Sequence, residues 1–209
     1  MQQQRPLLLI AIVCGVAAFI GVRLYQQRLQ GGAADLEPEH AALISKPATD
    51  FKADFVVGTG PASLQELRGK VVLLDFFAVW CGPCIRTFPE LAHWRAEFGP
   101  KGLEIVGVTT YYRTQDWDDA AGRLRRVDSP LTPEKERDML ARFGKHYQLG
   151  HPIWLLSSDD YRRISEAYAV EGIPQIVLID REGVMALIEV GGGGQTPAAI
   201  TAELKSLLP

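Results

Sequence analysis

Two cysteines three residues apart, Cys81 and Cys84, enclose Gly82 and Pro83. A dithiol that exchanges disulfides needs a thiolate able to attack at neutral pH and a second thiol that resolves the mixed disulfide. The seven residues 71–77 (VVLLDFF) form a continuous apolar run with β-branched members, which predicts a strand covered on both faces. Residues 81–98 then predict a helix, stopped by Gly99-Pro100. A cysteine at the mouth of that helix faces unpaired backbone N–H groups and the positive end of the dipole, both of which favour its thiolate. Cys81 is therefore expected to attack. Cys84, on the same helical face, is expected to resolve and to close a disulfide with Cys81. Gly82 lets a partner approach closely, Pro83 has no N–H to waste in the first turn, and Trp80 offers a flat surface beside the sulfurs.

Other chemistries fit this pattern poorly. A structural zinc site needs four ligands, one CxxC supplies two, and His40, His93, His146 and His151 lie at no ligand-like spacing to it. No metal and no cofactor are expected. A copper-carrying module would add a nearby His or Met, and a redox-silent binding module would lack a dithiol couple. A peroxiredoxin-like peroxidase would carry Thr three residues before the attacking cysteine, where this chain has Ala78.

Composition agrees with a dithiol enzyme. Three cysteines in 209 residues are too few for a disulfide scaffold, and a formal charge of −3 gives no basic bias, so nucleic acid is not an expected partner. The apolar share of 47% and the charged share of 22% are those of a globular chain large enough to bury a core.

The elements that must hold the dithiol follow along the chain. Residues 7–22 run uncharged between Arg5 and Arg23 and span ~24 Å as a helix, close to a bilayer core. With Arg23 snorkelling, residues 1–28 are expected to form a membrane anchor; a cleaved signal peptide is the alternative. Residues 29–46, with Gly31, Gly32, Ala33, Ala34 and Pro38, read as a linker, and 47–209 as the globular domain. Within it, residues 51–57 read as a strand or hairpin arm and Ser63 to Glu66 as a capping box. Residues 103–109 form a second buried strand, parallel to the first through a right-handed crossover. Residues 111–149 read as a polar helical insertion, with Thr132 capping a helix that starts at Pro133 and Arg123, Arg125 and Arg126 on a solvated helix face. Later come a strand at 152–156, a helix at 159–168, a strand at 175–180 that turns into 184–190, and a last helix from Thr196.

These residues resemble the thioredoxin-like superfamily. The stretch DFFAVWCGPC (75–84) is similar to the thioredoxin active-site strand and loop, and Pro89 matches the proline that kinks the active-site helix. Gly172-Ile173-Pro174 resembles the loop that carries the superfamily's cis-proline. With the anchor, the linker and the arm at 47–57, the likeness narrows to membrane-anchored TlpA/ResA-type thiol–disulfide oxidoreductases. The resemblance implies an α/β thioredoxin fold: a mixed sheet of four or five strands flanked by helices, with the helical insertion and an N-terminal transmembrane helix. It implies that Pro174 is cis and that the backbone of Ile173 pairs with a substrate strand. Charge counting around residues 7–22 leans toward a cytoplasmic domain by one charge; the likeness instead places the domain outside the cytoplasmic membrane.

The resemblance further implies protein dithiol/disulfide substrates, an upstream membrane electron donor, and action as a reductant, with cytochrome c maturation as one setting. A general thiol–disulfide exchanger is the alternative. Two departures matter. Where such proteins commonly carry Glu three residues after the second cysteine, this chain has Thr87, which cannot titrate. Asp75, in a buried strand, matches the buried Asp of thioredoxins, and general-base service to Cys84 would account for so costly a burial; a structural hydrogen-bonding role is the alternative.

Overall fold

The computed structural model describes residues 37–191 and 196–209. The chain divides into two compact units, Met1–Ala42 and Leu43–Pro209. Among the described residues no helix is long and apolar enough to cross a membrane. The expected anchor at 7–22 lies outside them, as do linker residues 29–36. The described end of that linker differs from the expectation of irregular chain, because Pro38–Leu43 is helical (α1). Ser45 N–H donates to Met185 O at 2.8 Å and Met185 N–H to Lys46 O at 2.9 Å, so the larger unit starts a few residues before 47.

Six strands form the central sheet: β1 (Phe55–Val57), β2 (Val71–Phe76), β3 (Leu103–Thr110), β6 (Ile153–Leu156), β7 (Gln175–Ile179) and β8 (Met185–Val190). Their spatial order is β1-β6-β3-β2-β7-β8. Every residue of β2 is buried, as its unbroken apolar run requires of a central strand. It pairs in parallel with β3 and antiparallel with β7. The sheet is mixed, as expected, but larger by a strand. Its edge is β1, three residues of the arm expected at 51–57, held antiparallel to β6.

The pleat sorts side chains to two faces. Leu73 and Ile105 pack with Leu91 and Trp94 of α2 (Gly82–Phe98), Phe143 of α3 (Pro133–His146) and Ile200 and Leu204 of α5 (Thr196–Leu207). Leu74, Val108 and Trp154 pack on the other face with Ile164 of α4 (Ser158–Ala167). Predicted capping devices form. The Ser63 hydroxyl accepts from Glu66 N–H at 3.4 Å and donates to its carboxylate at 2.7 Å, and Thr132 Oγ1 accepts from Lys135 N–H at 3.4 Å.

The insertion is not helical throughout. Residues 133–146 form α3 as expected, but residues 115–126 form a separate two-stranded hairpin, β4 (Gln115–Asp118) with β5 (Arg123–Arg126). Arg123, Arg125 and Arg126 therefore lie on a strand, not a helix. The hairpin bends where Asp118 Oδ1 accepts from the N–H groups of Ala120 and Ala121, both at 3.0 Å, and Gly122 takes φ 58°. Buried Trp117 packs edge-on against Phe143. The Arg142 guanidinium reaches Asp116 at 2.7 Å, Asp119 at 3.0 Å, Asp138 at 2.9 Å and the Trp117 carbonyl, pinning the hairpin to α3.

Candidate active site

β2 ends at Phe76, and residues 77–80 carry the chain over the sheet's end to the helix start. Cys81 N–H donates to Ala78 O at 3.0 Å, making a turn that leaves Trp80 59% exposed and places Cys81 as the N-cap of α2. Gly82 and Pro83 fill the first helical positions, where a missing N–H costs nothing. Cys81 and Cys84 are joined as a disulfide. Cys84 N–H, one of the helix's free donors, points at Cys81 Sγ at 3.2 Å. The same contact would favour a thiolate on Cys81 once the bond is reduced. Cys84 lies fully buried beneath it.

From 92 residues further along the chain, the Ile173 carbonyl comes to 3.8 Å from Cys81 Sγ. The Ile173–Pro174 bond is cis, as expected. The loop is anchored on both sides: Gln175 opens β7 beside Phe76, and Gly191 N–H donates to Pro174 O at 2.7 Å. All the sequence-predicted positions except Asp75 thus sit around one sulfur pair at the end of the sheet.

Asp75 stands one turn of the pleat below, in the middle of the sheet. It is completely buried, and neither carboxylate oxygen has a hydrogen-bond partner among the described residues. Burial pushes its carboxyl up to about 7, with no cation to offset it. Its neighbour across β3 is Gly107. A Cβ there would lie 2.9 Å from Phe77 Cε1, so a glycine is needed for the Phe77 ring to cover this face. Thr87 is not a substitute for Asp75, because its hydroxyl donates to Cys84 O at 2.8 Å and cannot titrate.

Three neighbours were not legible from the sequence. Val79 N–H donates to the Tyr112 hydroxyl at 3.0 Å, and Thr109 Oγ1 donates to Phe77 O at 3.0 Å. His151 is buried beside Gly107 with Nε2 unpartnered among the described residues; burial first, then Arg95, lowers it to about 4, so it is neutral at physiological pH. Only the fold brings Tyr112 to Val79, Thr109 to Phe77 and His151 to Gly107, and no spacing announces them. Among the described residues no three His, Cys, Asp or Glu side chains converge as a metal site.

The arrangement is a redox-active dithiol at a helix mouth, faced by a cis-proline loop. The sequence matches the Redoxin family over residues 44–204. The chain belongs to the Redoxin family. Among Redoxin relatives, it is 27% identical over 209 residues to the thiol–disulfide oxidoreductase ResA of Bacillus anthracis, covering 100% of both chains. It is 29% identical over 144 residues to the thioredoxin-like protein YneN of Bacillus subtilis, covering 69% of each. Among solved structures, a putative thiol:disulfide interchange protein DsbE from Chlorobium tepidum superposes with a TM-score of 0.57 at 26% identity, covering 78% of this chain and 96% of that one. This Redoxin chain is a thiol–disulfide oxidoreductase of the ResA/DsbE type.

Proposed function

We propose that this oxidoreductase is tethered to the cytoplasmic membrane through residues 7–22, with its domain on the extracytoplasmic side, and reduces disulfides in protein partners. Apocytochrome c awaiting haem attachment is the substrate class that its likeness to ResA favours. The Cys81 thiolate attacks one sulfur of the substrate disulfide and expels the other as a thiolate. Cys84 then loses its proton to Asp75 and attacks Cys81 Sγ, releasing the second substrate thiolate. Two electrons have passed to the substrate, and the enzyme is left with the Cys81–Cys84 disulfide that the structure contains. A membrane electron donor restores the dithiol. The backbone of Ile173 and Pro174 and the face of Trp80 hold the substrate strand across the sulfurs.

The observation that carries this reading is the Ile173 carbonyl lying 3.8 Å from Cys81 Sγ, which puts a strand-pairing edge against the cysteine at the helix mouth. Mixed-disulfide trapping with Cys84→Ser in native membranes tests it. A covalent adduct through Cys81, released by dithiothreitol and absent from the variant that also lacks Cys81, is expected. No adduct above that control would overturn the reading.

A further inference from the structure

The hydrogen bonds around Tyr112 have only one consistent direction. Thr109 has a single hydroxyl proton and gives it to Phe77 O. Thr109 Oγ1 and Tyr112 Oη are also hydrogen-bonded, so the phenol is the donor in that contact. The phenol oxygen is then free to accept Val79 N–H at 3.0 Å. The circuit runs from Val79 N–H to Tyr112, to Thr109 and back to the carbonyl of Phe77. It bridges both sides of Ala78, whose own carbonyl accepts from Cys81 N–H. Chains of this kind polarise one another and hold geometry better than isolated bonds.

Tyr112 is itself mounted on a fixed base. Glu136 of α3 is buried, and its two carboxylate oxygens accept from successive backbone N–H groups, Tyr112 at 2.6 Å and Arg113. The redox turn is thus tied through one phenol to the helix of the insertion.

We propose that Tyr112 is a positioning residue for thiol–disulfide exchange, whose hydroxyl, held in place by Glu136, fixes the Ala78–Cys81 turn and so aligns Cys81 Sγ with Cys84 N–H. This rests on Cys81 being the attacking thiol. Val79 is buried, so its N–H cannot turn to water when the phenol is lost. The turn must rotate to find another acceptor, and Cys81 moves with it. The thiolate loses part of the N–H alignment that stabilises it, and the thiol pKa rises. The ring of Tyr112 is not needed for this effect; its oxygen is.

Alkylation of the reduced full-length protein by iodoacetamide from pH 5 to 9, with the labelled cysteine assigned by peptide mass, tests the proposal. Tyr112→Phe should slow labelling of Cys81 at pH 7 about five-fold by raising its thiol pKa, while the plateau rate at high pH stays unchanged. Glu136→Gln, which keeps the shape but replaces one acceptor oxygen with a donor, should move the profile in the same direction. In the double variant the effect should match the larger single one, because both act through the same turn. A Tyr112→Phe profile superimposed on wild type overturns the proposal, even if the variant melts at a lower temperature. So do single effects that multiply in the double variant. Labelling of Cys84 ahead of Cys81 in the wild type overturns the thiol assignment, and that outcome is separate from any shift caused by Tyr112.

Discussion

Replacing Asp75 with Asn tests the buried carboxyl by stability and by rate. Asp75 titrates at its ordinary 3.8 in the unfolded chain and near 7 in the fold, where burial penalises the charge. The native state therefore binds the proton more tightly. The stability this contributes is complete below pH 3.8 and is lost as pH rises toward 7. At ~1.4 kcal/mol per pH unit, the gap amounts to roughly 4 kcal/mol that wild type forfeits by pH 8. Asn resembles the protonated acid in shape and does not titrate. In the oxidised protein, where neither sulfur titrates, the variant should match wild type near pH 3.5 and exceed it at pH 8. With a urea m-value of roughly 2 kcal/mol per M, the midpoint at pH 8 should lie about 2 M higher. Urea titrations of both proteins at pH 3.5, 5, 6.5 and 8 give the comparison. In the reduced enzyme, stopped-flow kinetics should show resolution by Cys84 slowed on the order of 10²-fold at pH 7, with attack by Cys81 little changed. Parallel stability profiles at all pH values, or a variant less stable at pH 8 with an unchanged resolution rate, would refute the reasoning. Asp75 would then be an ionised structural residue.

Alkylation of the reduced protein at pH 7 should label Cys81 far faster than Cys84, since only Cys81 lies at the helix mouth while Cys84 is fully covered; equal rates by peptide mass would contradict the assigned roles. A reporter fused after Pro209 should behave as exported, and membranes should keep the full-length chain through an alkaline carbonate wash; a shortened soluble form would replace the anchor with a cleaved signal. Arg142→Met should release the hairpin from Asp116, Asp119 and Asp138, lower Tm by several degrees and open cleavage within residues 118–123 in limited proteolysis. Unchanged cleavage there would mean that Trp117 holds the hairpin without the arginine. Thr132→Ala should cost about 1 kcal/mol by urea titration, the usual price of a lost N-cap.

Legibility in the sequence followed the range of the interactions. β2 and α2 were readable because their signals are local: six apolar residues in a run of seven, then a cysteine, glycine and proline at a helix start. The hairpin at 115–126 was misread for a physical reason. Each four-residue strand has a single apolar residue, Trp117 or Leu124, packed inward among charged neighbours, so the hairpin lacks the apolar alternation that marks a strand. The Asp118 and Gly122 turn was the available clue. Within the site, Cys81, Cys84 and Pro174 were marked by motif, and Asp75 by a charge where none belongs. Tyr112, Thr109, Glu136 and His151 carry no such mark, because each has its place through register or packing between distant segments.

The spread of the site along the chain also bears on the order in which it comes into being. Strand β2 and the cysteine helix are made early in synthesis, while the loop that presents the Ile173 carbonyl to Cys81 lies 92 residues later, just before β7. A growing chain therefore carries both thiols, adjacent and able to oxidise, well before the wall opposite them exists. For that interval the cysteines are exposed to any oxidant or stray disulfide, with nothing to select among them. Selectivity arrives last, when β7 closes against β2, so a chain that stalls before residue 175 is a reactive dithiol without a substrate site.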